Sequence, residues 1–201
     1  AQTKPIAEDH PLHGQSPYAA SKIGADQMVE AFARSHGIPA VTLRPFNTFG
    51  PRQSERAVIP TAIRQMLDPA CTEIHLGDLS TTRDFTFVSD TVSAFLALGG
   101  AAGAEFGTVY NAGNGVEIEI SDVVERLSEM TGCNKPIVSE SARIRPEHSE
   151  VRALVASSAR LTALSGWRPK TVLDDGLGQC VEWWRGRITG GLQRRDSGYA
   201  R

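Results

Sequence analysis

The sequence predicts an α/β fold, and three observations carry that expectation. A helical apolar pattern from Pro17 to about Ser35 runs almost directly into the branched stretch AVTLR at 40–44. The same alternation returns later, where TVYNAG at 108–113 is followed by a second amphipathic stretch. Between them, the Pro- and Gly-rich segment PFNTFGPRQSERAVIP leaves the end of the first strand as a long irregular loop, which is where α/β folds place ligands.

Each element has a local reason. Residues 1–15 are polar and carry Pro5, Pro11 and Gly14, so they read as a loop entering a helix. The helix that follows places Ala20, Ile23, Met28, Phe32 and Ala33 at helical spacing, with Gly37 as its stop. AVTLR, bounded by Pro39 and Pro45, reads as a buried strand. A helix is expected around Thr61 to Leu67, then strands at EIHLG and DFTFV. Asp90 reads as the N-cap of an apolar helix reaching Leu98, and Ser121 as the cap of one that ends at Gly132. PIVS reads as a strand, followed by helices near 158–165 and 175–185 and a polar tail after Gly190. There is no internal repeat and no low-complexity tract.

Composition excludes several classes of partner. Of 201 residues, 40% are hydrophobic and 22% charged, an ordinary balance for a chain with a packed core, and the formal net charge is -2. The basic residues are scattered, so neither nucleic acid nor an anionic membrane is an expected partner. No apolar run approaches the roughly 20 residues of a membrane span, and no signal-peptide pattern opens the chain; a cytoplasmic location is expected. Cys71, Cys133 and Cys180 lack zinc-ligand spacing and read as reduced structural thiols. The five histidines, His10, His13, His36, His75 and His148, show no paired-ligand spacing either, so no metal site is expected.

The chemistry centres on SPYAASK, Ser16 to Lys22. Tyr18 and Lys22 are four apart and share a helix face, their Cβ atoms about 5–6 Å apart. A solvated helix face produces the same spacing, so the pair alone is a weak signal. A phenol serving as base near neutrality needs its pKa lowered by roughly three units, about 4 kcal/mol. An ammonium at about 6 Å in an effective dielectric near 20 supplies roughly 2.8 kcal/mol, or about two units. A second positive charge, such as an oxidised nicotinamide ring, would supply the rest.

SPYAASK is followed, in order, by LRPFNTFGPRQ, LGDLSTTRDFTFVSD, TVYNAG and RIRPEHSEV. Together these motifs resemble the extended short-chain dehydrogenase/reductase family, in its nucleotide-sugar epimerase and dehydratase branch, over residues 5–186. The resemblance implies a Rossmann-type parallel sheet with a smaller α/β substrate-binding domain, and NAD as cofactor. It implies that Tyr18 is the general base for oxidation of the sugar 4-hydroxyl, while Lys22 binds the nicotinamide ribose and lowers the tyrosine pKa. Pro45 and Phe46 match a loop over the nicotinamide, and Asn47 an asparagine near the substrate diphosphate. Ala57, Val58, Ile74 and Leu76 match positions that wall the nucleotide base, where ordinary core packing is an equal reading. Arg83 and Arg145 match arginines that clamp the diphosphate, and Asn111 a nearby polar contact; a surface salt bridge is the plain alternative for each arginine. Asp84 and Asp90 read as structural. Where the family usually carries an acidic residue and a lysine before its last helices, this chain has Ala156 and Ala159.

The resemblance further implies domain limits. Residues 1–55 and 84–114 are expected to end a dinucleotide-binding domain, 56–83 and 115–190 to form the nucleotide-sugar-binding domain, and 191–201 a tail. No strand followed by a GxGxxG-type turn occurs, and the family's catalytic Ser or Thr would fall before Ala1. The chain is therefore expected to be the C-terminal part of such an enzyme, a 4,6-dehydratase acting on a UDP-linked sugar as a homodimer when full length. A 4-epimerase of the same family is the first alternative, and a non-catalytic sugar-nucleotide-binding or assembly module the second.

Overall fold

A computed structural model describes residues 2–140 and 152–192. The elements run α1 (Pro17–His36), β1 (Thr42–Pro45), β2 (Thr48–Phe49), α2 (Val58–Leu67), β3 (Ile74–Leu76), β4 (Thr82–Arg83), β5 (Thr86–Phe87), α3 (Val88–Gly99), β6 (Val109–Ala112), β7 (Ile118–Glu119), α4 (Ile120–Thr131), β8 (Ile137–Ser139), β9 (Ala153–Leu154), α5 (Ala159–Ser165) and α6 (Leu173–Thr189). Counting the described residues within them, Ala1–Thr48, Arg83–Glu117 and Pro146–Lys170 make one compact unit; Phe49–Thr82, Ile118–Arg145 and Thr171–Arg201 make a second.

The first unit is built on a parallel pair, β1 and β6, in which Thr42 faces Val109 and Pro45 faces Ala112. Its core joins Ala94 and Leu98 of α3, Tyr110 and Ala112 of β6, Leu161 of α5 and Trp167, with Val41 and Leu43 packed against them. The indole Nε1 of Trp167 donates to Ser93 Oγ at 2.8 Å, so the one polar atom of that ring is satisfied inside the core. Residues 152–170 join the first unit because α5 packs on β6 and α3, and because Ile6 N donates to Val155 O while Ser157 N donates to Ile6 O.

Helix α1 begins with Ser16 as N-cap, its Oγ accepting from Ala19 N at 3.1 Å, and Pro17 in the first turn where no N–H is needed. It stops at Gly37, whose φ of 66° is left-handed. Of its apolar stripe only Ala33 is buried; Met28 and Phe32 remain 58% and 44% exposed. The Arg44–Asp26 ion pair, at 2.6 Å, ties α1 to β1.

The second unit packs α2, α4 and α6 against one another, with the parallel pair β3–β8 beside α2. Ile59, Ile63, Val123, Leu127, Leu177 and Val181 fill its core. Buried Gln65 acts as a side-chain rung, its Oε1 accepting from His75 N at 2.9 Å and its Nε2 donating to His75 O at 3.1 Å. Lys135 Nζ donates to the carbonyls of Gln65, Met66 and Asp68, placing a cation at the C-terminal end of α2.

Two cap assignments are corrected by the structure. Asp90 lies inside the first turn of α3, which starts at Val88 after Phe87, and Ser121 lies inside α4, which starts at Ile120 after Glu119. The N-cap positions are taken by Phe87 and Glu119, whose side chains make no capping hydrogen bond. DFTFV is extended only at Thr86–Phe87 because Val88 already belongs to α3.

Candidate functional site

The helix start sets the geometry of the first pair. With Pro17 opening α1, Tyr18 and Lys22 fall one turn apart, and Lys22 Nζ lies 5.7 Å from the centre of the Tyr18 ring. The Tyr18 side chain is 71% exposed, so its hydroxyl is open to a reactant. The distance is the one at which a cation and a ring face attract.

Pro45, Phe46 and Asn47 leave the carboxyl end of β1, the end at which parallel sheets hold ligands. Phe46 N donates to Ala112 O at 2.8 Å, carrying the parallel pairing one step beyond the strand. Asn47 has φ of 21°, a backbone region that Asn tolerates better than most residues. Its Nδ2 is buried without an acceptor among the described residues.

Asn111 is interior, 1% exposed, with its amide Nδ2 donating to Ile6 O and its backbone N to Glu8 Oε1. Its Oδ1 is buried without a donor among the described residues. Arg83 is half-buried at the end of β4. The next residue, Asp84, is fully buried and accepts three backbone hydrogen bonds, from Asn114 N, Gly115 N and Ala156 N, at 2.8, 2.9 and 2.9 Å. Burial pushes its carboxyl above the ordinary carboxylate value, against the pull of the three N–H donors.

In the second unit, Ile74 and Leu76 are buried in the core, whereas Ala57, the N-cap of α2, and Val58 are half-buried. Arg145 lies outside the described residues. The structure thus brings Tyr18 and Lys22 together on α1, and strings Pro45, Phe46 and Asn47 along the exit of β1. Sequence reasoning assigned Asp84 a structural role but not its partners, although the NAGNG run at 111–115 was a legible sign of backbone drawn close to something. No group of three or more His, Cys, Asp or Glu side chains suited to a metal occurs among the described residues. No described helix is long and apolar enough to cross a membrane.

The chain is similar in sequence and fold to known proteins. The profile of the GDP-mannose 4,6-dehydratase family matches residues 1–180. The GDP-6-deoxy-D-mannose reductase of Pseudomonas aeruginosa is 32% identical over 188 residues, 92% of this chain and 60% of that relative. The crystal structure of the Bacillus anthracis dTDP-glucose 4,6-dehydratase in complex with NAD superposes with a TM-score of 0.84 at 26% identity, covering 96% of this chain and 60% of that one. The UDP-glucose 4-epimerase of Thermotoga maritima, solved with UDP-glucose, gives 0.83 at 29% identity, over 94% and 59%.

Proposed function

Because the chain belongs to the GDP-mannose 4,6-dehydratase family, we propose that its residues act in an NAD-dependent nucleotide-sugar 4,6-dehydratase. One observation carries the reading: a solvent-open phenol with an ammonium 5.7 Å from its ring, at the start of a helix tied to a parallel strand. Tyr18 takes the proton of the sugar 4-hydroxyl, with the Lys22 ammonium beside its ring. Tyr18, Lys22, Pro45 and Phe46 are the residues that would hold the nicotinamide end of NAD; the exposed phenol and the loop at the strand's carboxyl end fit such a group. Bound there, NAD supplies the reversible oxidation at sugar C4.

Asn47 offers the substrate a buried amide donor that has no acceptor among the described residues. Arg83 and Arg145 bind the diphosphate, a task suited to permanently charged forks of N–H donors. Ala57, Val58, Ile74 and Leu76 form the base-binding side; burial of Ile74 and Leu76 leaves the half-buried Ala57 and Val58 as the better candidates for direct contact. Asn111 acts from inside by fixing residues 6–8.

The wording of SPYAASKIGAD, RPFNTFGPRQSERAVIPT and RPEHSEV resembles the UDP-N-acetylglucosamine 4,6-dehydratases of legionaminic acid synthesis, which favours a UDP-linked sugar. The 4-epimerase remains the second reading, supported by the fold shared with the Thermotoga maritima enzyme. A homodimer formed through α1 completes the proposal, supported by the exposed Met28 and Phe32. A cytoplasmic location is supported by three cysteines that are all free. The experiment is to incubate the full-length protein with NAD and UDP-N-acetylglucosamine and follow the product by mass spectrometry. Loss of one water is the expected result; an isomer of unchanged mass would transfer the assignment to the epimerase.

A further inference from the structure

Asp84 holds a position that simple packing does not explain. It is 0% exposed, and among the described residues its partners are three backbone N–H groups and no cation. An isolated buried carboxylate is costly, and burial duly raises its pKa. An amide in its place has one acceptor oxygen, whereas here Oδ1 accepts from Asn114 and Oδ2 from both Gly115 and Ala156. The carboxylate therefore binds two chain segments, distant in sequence, to the residue that follows Arg83.

The loop leaving β6 is shaped for this grip. A Cβ on Gly113 would stand 2.8 Å from Asp84 Oδ2 and would collide with Ala156 Cβ, so only glycine lets the carboxylate approach. Ser158 closes the other side, its Oγ accepting from Gly113 N at 2.8 Å and donating to Gly113 O at 3.0 Å. One hydroxyl and one carboxylate thereby satisfy the backbone of the β6 exit. Asp84 directly follows Arg83, the last residue of β4, so fixing the Asp84 carboxylate holds the backbone from which Arg83 extends.

We propose that Asp84 is a positioning residue for the diphosphate-binding site, a buried anchor that holds Arg83 against the loop leaving β6 before the ligand arrives. This deepens the role given to Arg83 under the proposed function and rests on it. Preorganisation of this kind raises affinity by lowering the ordering cost of binding.

The test is a double-mutant cycle in the full-length protein, with uridine diphosphate as probe and calorimetry as readout. Arg83→Ala and Asp84→Asn should each weaken binding roughly tenfold or more, as loss of a charged hydrogen bond does. The double variant should bind no more weakly than Arg83→Ala alone, because an anchor has no effect once the group it positions is gone. In turnover, the Asp84→Asn loss should fall on KM and not on kcat. Should Asp84→Asn fail to fold, Gly113→Ala replaces it in the cycle, since its added methyl presses on the same carboxylate. Unchanged affinity on altering the anchor, or losses that simply add, would overturn the proposal. If Arg83→Ala alone binds uridine diphosphate as tightly as the wild type, the diphosphate role of Arg83 fails, and the proposal falls with it.

Discussion

The ammonium of Lys22 stands 5.7 Å from the ring centre of Tyr18, one turn along α1, and the tyrosine side chain is 71% exposed. A side chain so exposed contributes little to folding, which separates its chemistry from its structural role.

Tyr18→Phe in the full-length protein is therefore expected to melt as the wild type does while losing roughly 10²–10⁴ in rate, the range for general acid–base catalysis. Near-normal turnover by Tyr18→Phe would remove the base assignment.

Arg83→Ala and Arg145→Ala are each expected to weaken nucleotide-sugar affinity by about 1.5–3 kcal/mol, the range for hydrogen bonds to charged groups. Calorimetric titration checks this. Unchanged affinity in both variants would place the diphosphate elsewhere.

Asp84 gives a pH dependence of known sign. Its folded pKa is raised above 3.8 by burial. Between 3.8 and the folded value the native state binds more protons than the unfolded one, so this group's contribution to stability falls as pH rises through that window. The melting temperature of the wild type minus that of Asp84→Asn should accordingly decrease from acid toward neutral pH and then level off. A difference that stays flat or climbs over the same window would contradict the raised pKa.

Cys180 is 2% exposed on α6, and burial pushes its thiol up to about 12. The thiolate is the reactive form, so Cys180 is expected to resist alkylation in the native state and to react on unfolding. Half-buried Cys71 and Cys133 should be modified first. Peptide mapping after timed iodoacetamide treatment distinguishes the three sites, and early labelling of Cys180 would mean that α6 opens readily.

Residues 1–201 expressed alone are expected to self-associate and to bind NAD weakly or not at all. In the first unit β1 and β6 form a parallel sheet of two strands, α3 leaves Val92, Phe95 and Leu96 more than half exposed, and the sequence holds no glycine-rich turn for a pyrophosphate. Sedimentation, thermal melting and NAD titration check this together. A monomeric, cooperatively melting chain with micromolar NAD affinity would contradict it.

What the sequence determined by itself was local. Pro17, the four-residue spacing of Tyr18 and Lys22, and Gly37 specify α1 and its exposed pair, because capping and helical periodicity act within a few residues. The branched runs at Thr42–Pro45 and Val109–Ala112 announced two strands for the same reason. Caps at Asp90 and Ser121 were misplaced because a residue with capping chemistry can also sit inside a first turn, and the backbone path of the preceding strand decides which. Tertiary structure alone decided that residues 152–170 pack with β6, that Asn111 is interior, and that Asp84 meets Asn114, Gly115 and Ala156. Those contacts join positions up to 105 apart in sequence. Composition and spacing carry no record of which distant backbone groups a buried carboxylate will reach; only the packed chain brings them within hydrogen-bonding distance.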